Sequence, residues 1–188
     1  MTWRTHLVGG VASLWLLNAA PAIPLSLETV GPAVLAAALG ALLPDLDAAD
    51  SRIKRLDVGG IAPFALPALV LHRIFGHRGA LHSLLGLLAA GLLVALPLGT
   101  VLGAAAGWAL LLGYASHLFL DACTRSGVPL LWPRRNRFHL LPCPLRIVTG
   151  SRAEDLFFVL LAALVLGLYT RLVFSFLLWN PAAGEVPL

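Results

Sequence analysis

His117 and Asp121 stand four residues apart at the end of a long apolar run. On a helix that spacing stacks both side chains on one face, one turn apart. An aspartate within an apolar helix costs about 2.5–3.5 kcal/mol at a bilayer centre on insertion scales, so a metal ion, another cation or a water-filled cavity must offset it. An imidazole and a carboxylate so placed form a two-armed ligand for a divalent metal. The plainer reading is a hydrogen bond between two helices of a bundle.

More residues of the same two types are spread along the chain. His6 opens the first apolar segment; alone it reads as an interfacial side chain, and its company makes it a candidate ligand. Pro44 is followed by Asp45, Leu46 and Asp47. Asp45, nearest the apolar segment, is the better ligand candidate, and Asp47 either ligates or serves as a base outside the metal's shell. Acidic loops are common, and Asp47 or Asp50 could simply face water. The run from His77 to Ser83 holds two histidines and Arg78 around Gly79. Gly79 permits a tight turn, and Arg78 can grip a phosphate or carboxylate at two points. His82 or Ser83 then falls in the first turn of the next helix, where free N–H groups favour anions. The expected metal set is His6, Asp45, His82, His117 and Asp121, with His77, Asp47 and Arg78 as catalytic candidates. His72, beside Arg73, and His139, in a basic loop, stand outside it.

Three histidines and two or three aspartates suit Zn²⁺ or Mn²⁺, as one ion or two. A metal so held makes hydroxide available near neutral pH, and neighbouring arginines would neutralise an anionic substrate, most simply a phosphate ester. No GxSxG, P-loop or Rossmann glycine pattern occurs, which argues against acyl-enzyme and nucleotide-driven chemistry.

These residues must be positioned by membrane helices. Of 188 residues 59% are hydrophobic and 12% charged, against about 45–50% and about 25% in soluble domains; mean hydropathy is +0.90. The expectation is an all-α, polytopic membrane bundle forming a single domain over residues 1–188. Helices are expected over 6–17, 30–43, 80–96, 100–122 and 154–179, with a turn at 97–99. Residues 61–75, broken by Pro63 and Pro67, are too short to span and read as re-entrant or interfacial. That makes about five spans plus one re-entrant piece. The first segment could pass for a signal peptide, but the rest of the chain is as apolar, so a retained helix is expected.

The net charge of +4 does not imply nucleic acid. Twelve of the thirteen basic residues are Arg, set in short loops. With 61–75 returning to the face it left, all but Arg171 lie on one face, the mark of the cytoplasmic side. The same folding brings the His and Asp candidates to one membrane level. Arg134, Arg135 and Arg137 could also hold lipid phosphates. Cys123 and Cys143 form no zinc-finger pattern and are expected as reduced thiols.

Together these pieces resemble the YdjM family of bacterial inner-membrane proteins, whose description as metal-dependent hydrolases is itself predicted. The resemblance rests on Thr5 and His6, on Leu42 to Asp47, on Phe75 to Leu85, on Gly113 to Asp121 and on Gly127 to Pro133. The family often has Thr where this chain has Leu81. The resemblance implies a hydrolase of the inner membrane with a metal site at His6, Asp45, His77 or His82, His117 and Asp121. A more distant likeness to zinc-dependent phospholipase C points toward phosphodiester or phospholipid substrates. The expected function is a multi-pass, metal-dependent hydrolase using metal-bound hydroxide on a phosphoester or lipid-linked substrate at the cytoplasmic face, with membrane lipids as partners. The alternative is a non-enzymatic metal transporter or lipid-binding scaffold.

Overall fold

The structure, a computed structural model, describes residues 1–19, 25–47, 79–134 and 136–177. Among them every named element is helical, and the only ladder contacts are isolated bridges pairing Thr124 with Ile147 and Val128 with Phe138.

Helix α1 spans Trp3–Ala19. Helix α2 spans Leu27–Leu42 and tightens into a 3₁₀ turn at Leu43–Asp47. A second 3₁₀ turn, Ala80–His82, leads into α3, Leu84–Leu102. Helix α4 spans Ala104–Ala122 and α5 spans Arg152–Leu177. Among the described residues, three helical stretches are long and apolar enough to cross a membrane: Glu28–Leu46, Leu84–Leu102 and Arg152–Arg171. They correspond to the second, third and last of the five expected helices. The other two are also helical, but α1 has 17 residues, short of the roughly 20 that span hydrocarbon, and α4 carries His117 and Asp121. The expected re-entrant piece, 61–75, lies outside the described residues.

Several boundaries differ from expectation, each for a local reason. α2 starts at Leu27 rather than near 30, because Ser26 caps it: Thr29 N–H donates to Ser26 Oγ at 3.3 Å, and Ser26 N–H donates back to Thr29 Oγ1 at 2.9 Å. This reciprocal cap satisfies donors that a helix start otherwise leaves open. α3 runs through Pro97 instead of ending before it. Proline removes an intrahelical donor and crowds the preceding turn; the wide π turn at Gly91–Ala95 precedes it and makes room. The break comes at Gly103, whose φ of 93° suits a residue without Cβ. Ser83 precedes its helix as the N-cap, with Gly86 N–H donating to Ser83 Oγ at 3.3 Å, so His82 ends the preceding turn rather than entering the helix.

The core is where α1, α2 and α4 meet. Ala33, Ala36 and Ala37 of α2 pack on Ala106, Ala109 and Leu110 of α4 and on Leu14 of α1. A Cβ at Gly40 would stand 2.0 Å from the Leu110 carbonyl oxygen, and one at Gly113 would stand 2.1 Å from that of Ala37. Small residues thus let the α2 and α4 backbones nearly touch, the usual device where lipid gives helices no hydrophobic reason to associate. A Cβ at Gly10 would likewise meet Ala41 Cβ at 2.5 Å.

Candidate metal centre

The close contacts lie one turn from the polar residues. Gly10 follows His6 by four residues, Gly113 precedes His117 by four, and Ala41 shortly precedes Asp45. Where the backbones touch, the next turn of each helix delivers its imidazole or carboxylate to a shared point. His82 reaches it from the other side. Tyr114, one turn before His117, donates its hydroxyl to the Leu81 carbonyl and so fixes the 3₁₀ turn that carries His82.

His6 Nε2 lies 3.2 Å from Asp121 Oδ1, and His82 Nε2 lies 3.4 Å from Asp45 Oδ1 and 3.9 Å from Asp121 Oδ2. His117 Nε2 lies 3.8 Å from both Asp45 Oδ1 and Asp121 Oδ2. The His6 and His117 rings stack at 3.6 Å, and the His82 ring meets His117 edge-on at 5.2 Å. The Met1 amino group also lies on Asp121 Oδ1. All of these side chains are sealed from solvent except that of Asp45, which is 24% exposed, so solvent reaches the cluster beside Asp45.

The donor set can be tested for its fit to a metal. Zn–N distances of about 2.0–2.1 Å put tetrahedral ligand atoms about 3.3 Å apart. The imidazole–carboxylate separations of 3.2–3.9 Å need only a small contraction to reach that. His6, Asp45 and His117 each offer one ligand atom within 4.8 Å of the others, and so do His82, His117 and Asp121.

His117 is the sharpest case. Its Nδ1 sits 2.7 Å from the Ala41 carbonyl oxygen. A carbonyl oxygen only accepts, so Nδ1 carries the proton and Nε2 of the neutral ring is a bare lone pair. That Nε2 is buried without a hydrogen-bond partner among the described residues. A histidine locked by a backbone carbonyl on one nitrogen and open on the other is the arrangement that orients metal-binding imidazoles. His117 belongs to both groups of ligand atoms, and its one lone pair can join one ion.

The structure therefore brings His6, Asp45, His82, His117 and Asp121 together. Asp47 ends the 3₁₀ turn of Asp45; its side chain, like all of His77 and Arg78, lies outside the described residues. Sequence reasoning missed Glu154. This carboxylate is buried and accepts from Thr2 N–H, from Thr5 Oγ1 at 2.9 Å and from Gly150 N–H at 2.6 Å. It ties the first turn of α1, and with it the neighbouring His6, to the start of α5. The available signal was an acid at the head of an apolar helix, next to Asp155, where two acidic residues read as ordinary first-turn charges. Cys123 is half-buried and Cys143 exposed, both as free thiols; burial pushes the Cys123 thiol pKa up.

Comparison with known proteins places the chain in a family. The family described as YdjM inner membrane protein matches residues 1–181. The protein named Uncharacterized protein YvsG of Bacillus subtilis (strain 168) is 37% identical over 160 residues, covering 83% of this chain and 86% of that protein. Inner membrane protein YdjM of Escherichia coli (strain K12) is 41% identical over 109 residues, covering 57% of this chain and 52% of that protein, so the match spans about half the length of that relative. Inner membrane protein YdjM of Shigella flexneri gives the same figures. No solved structure matches the chain.

Proposed function

The chain belongs to the YdjM inner membrane protein family, and from that premise we propose that it is a multi-pass, metal-dependent hydrolase acting on a phosphoester at the cytoplasmic face. The observation that carries the reading is the buried Nε2 of His117, without a hydrogen-bond partner among the described residues, held open by the Ala41 carbonyl and close to two carboxylates and two further imidazoles.

His6, Asp45, His82, His117 and Asp121 would hold one divalent cation, Zn²⁺ or Mn²⁺. When bound, such a cation supplies Lewis acidity and lowers the pKa of water to about 7. The protein's own groups do the rest. Asp121 spans the cluster, with Oδ1 toward His6 and Oδ2 toward His82 and His117, and so fixes three imidazoles with one side chain. Asp45, the one partly exposed member, stands at the solvent side, where it can take a proton from an entering water. His77 or Asp47 is a candidate to relay that proton, and Arg78 to steady the anion.

The alternative, a metal carrier, needs polar groups through the membrane depth. Among the described residues, the buried Asp, Glu and His side chains are His6, His82, His117, Asp121 and Glu154, at the ends of their helices, and the packing around Leu14, Ala33, Ala37, Ala106 and Ala109 is apolar, which supports a site over a path. The test is metal content of the purified protein, measured beside His117→Ala and Asp121→Ala, followed by hydrolysis of bis(p-nitrophenyl) phosphate. Wild-type protein should bind one equivalent and hydrolyse the ester, and both variants should lose the metal. Variants that keep it, or wild-type protein that never binds it, would overturn the assignment.

A further inference from the structure

Residues 123–151 join the end of α4 to the start of α5 and give no side chain to the His/Asp cluster. Between Ala122 and Ala153 the sequence carries Arg125, Arg134, Arg135, Arg137, Arg146 and Arg152 and no aspartate or glutamate. Backbone hydrogen bonds fasten this basic segment to its neighbours. Leu140 N–H donates to Ala122 O at 2.8 Å and Ile147 N–H to Cys123 O at 3.0 Å, at the end of α4. Leu84 N–H, in the first turn of α3, donates to Leu130 O at 2.9 Å. Val128 and Phe138 exchange both of their backbone bonds, at 3.0 and 2.8 Å.

On this fixed backbone Leu131, Phe138, Leu140 and Leu145 are 46–64% exposed. Two of them show which way the segment faces. Phe138 and Leu140 line a hollow of about 210 Å³ together with Leu84 and Leu87 of α3 and Phe119 of α4. The stretch Leu84–Leu102 is apolar enough to cross a membrane and only 17% buried, so its outer surface meets hydrocarbon. The apolar surface of that span thus continues onto the connecting segment.

The arginines stand among these apolar side chains. Arg137, next to Phe138, donates Nη1–H to Ser126 O at 2.9 Å, and Arg146 donates Nε–H to Leu141 O at 3.0 Å. A guanidinium has five N–H donors, so each keeps most of its capacity. None of Arg125, Arg134, Arg137, Arg146 and Arg152 is paired with a carboxylate among the described residues. A soluble polyanion would meet the arginines and leave the apolar side chains in water. A phospholipid satisfies both, with its phosphate on the guanidinium and its upper acyl carbons on Leu and Phe.

We propose that residues 123–151 form an interfacial collar that binds anionic phospholipids of the surrounding bilayer, with Arg125, Arg134 and Arg137 on the phosphates and Leu131, Phe138, Leu140 and Leu145 lodged at the hydrocarbon boundary. The collar needs neither the metal nor hydrolysis.

The test titrates full-length protein in detergent with phosphatidylglycerol, or with phosphatidylcholine of the same chains, and counts bound lipid by native mass spectrometry. Phosphatidylglycerol should bind about tenfold more tightly, since basic residues near a membrane surface favour anionic lipid. The preference should shrink as salt rises from about 0.1 M to about 1 M and the Debye length falls from about 10 Å to about 3 Å. The triple variant Arg125→Gln, Arg134→Gln, Arg137→Gln should bind both lipids alike. Arg4→Gln, whose arginine lies over Trp3 in α1, should keep the preference. A second measurement leaves the arginines intact and so stands even where the triple variant fails to fold. A nitroxide on the exposed Cys143, in Cys123→Ser protein reconstituted in vesicles, should be relaxed more by oxygen than by a water-soluble nickel chelate.

Equal binding of the two lipids by wild type would overturn the proposal, as would an undiminished preference in the folded triple variant. A nitroxide relaxed mainly by nickel would place the collar in water and overturn it too. Displacement of phosphatidylglycerol by an RNA oligomer would assign the arginines to nucleic acid, with the same consequence.

Discussion

Gly113→Ala tests the packing that assembles the cluster without touching any of its ligands. The new Cβ would stand 2.1 Å from Ala37 O, 2.9 Å from Ala37 C and 3.0 Å from Ala41 N. All three are backbone atoms, so no side chain can swing aside. Ordinary contact begins near 3.4 Å, which leaves a shortfall of about 1.3 Å that only separation of α2 and α4 can supply. The His117–Ala41 hydrogen bond, 2.7 Å long, bridges those same helices one turn away. Stretched by a comparable amount, it passes beyond hydrogen-bond reach. Overpacking of this kind costs about 1–3 kcal/mol in stability. Loss of an outer partner of a metal-binding histidine typically costs about 10–100-fold in metal affinity, and metal geometry tolerates only about 0.2 Å. The assay is zinc affinity by competition with a chromophoric chelator in detergent, beside thermal unfolding. Gly31→Ala is the control, since its Cβ meets nothing within 4 Å. Affinity for Gly113→Ala should fall at least tenfold with a lowered Tm, and Gly31→Ala should match wild type. A Gly113→Ala protein within twofold of wild type in affinity would refute the claim that backbone contact positions the ligands.

Glu154→Gln should lower stability by about 1–3 kcal/mol, because one oxygen of a buried acceptor for Thr2, Thr5 and Gly150 becomes a donor. It should also weaken zinc binding, though less than His117→Ala does; thermal melts and chelator competition read both. Chelation of the metal should lower the Tm of wild type, as removal of a ligand present at 100 times its Kd forfeits about 2.7 kcal/mol, and should leave the Tm of Asp121→Ala unchanged. Cys143, exposed, should react with maleimide well before Cys123. Because burial raises the Cys123 pKa, its thiolate is scarce at neutral pH and its labelling should accelerate as pH rises; mass-resolved labelling from pH 7 to 9 checks this.

His6, Asp45, His82, His117 and Asp121 were legible in the sequence because each is chemically out of place. A buried imidazole or carboxylate in so apolar a chain demands a partner, and that demand can be read without knowing where the partner is. Glu154 was not legible, because it opens a helix beside Asp155 and Arg152, where charge needs no special account. Its burial depends on the start of α1 lying against it. Pro97 misled for a related reason. A proline's ring argues for a break, and the π turn that absorbs it is a property of the helix as built.

By itself the sequence determined that the chain is helical and membrane-bound and that its anomalous side chains are of metal-ligating type, since composition and local spacing carry that information. The tertiary structure alone decided which helix faces meet, which nitrogen of His117 is open, and that the first turn of α1 rests on the buried Glu154. The physical reason is the solvent. In lipid every apolar face is equally content outside the bundle, so hydrophobic pattern does not choose partners. The choice falls to shape: to Gly10, Gly40 and Gly113, whose missing side chains admit a neighbouring backbone, and that complementarity exists only once two helices are side by side.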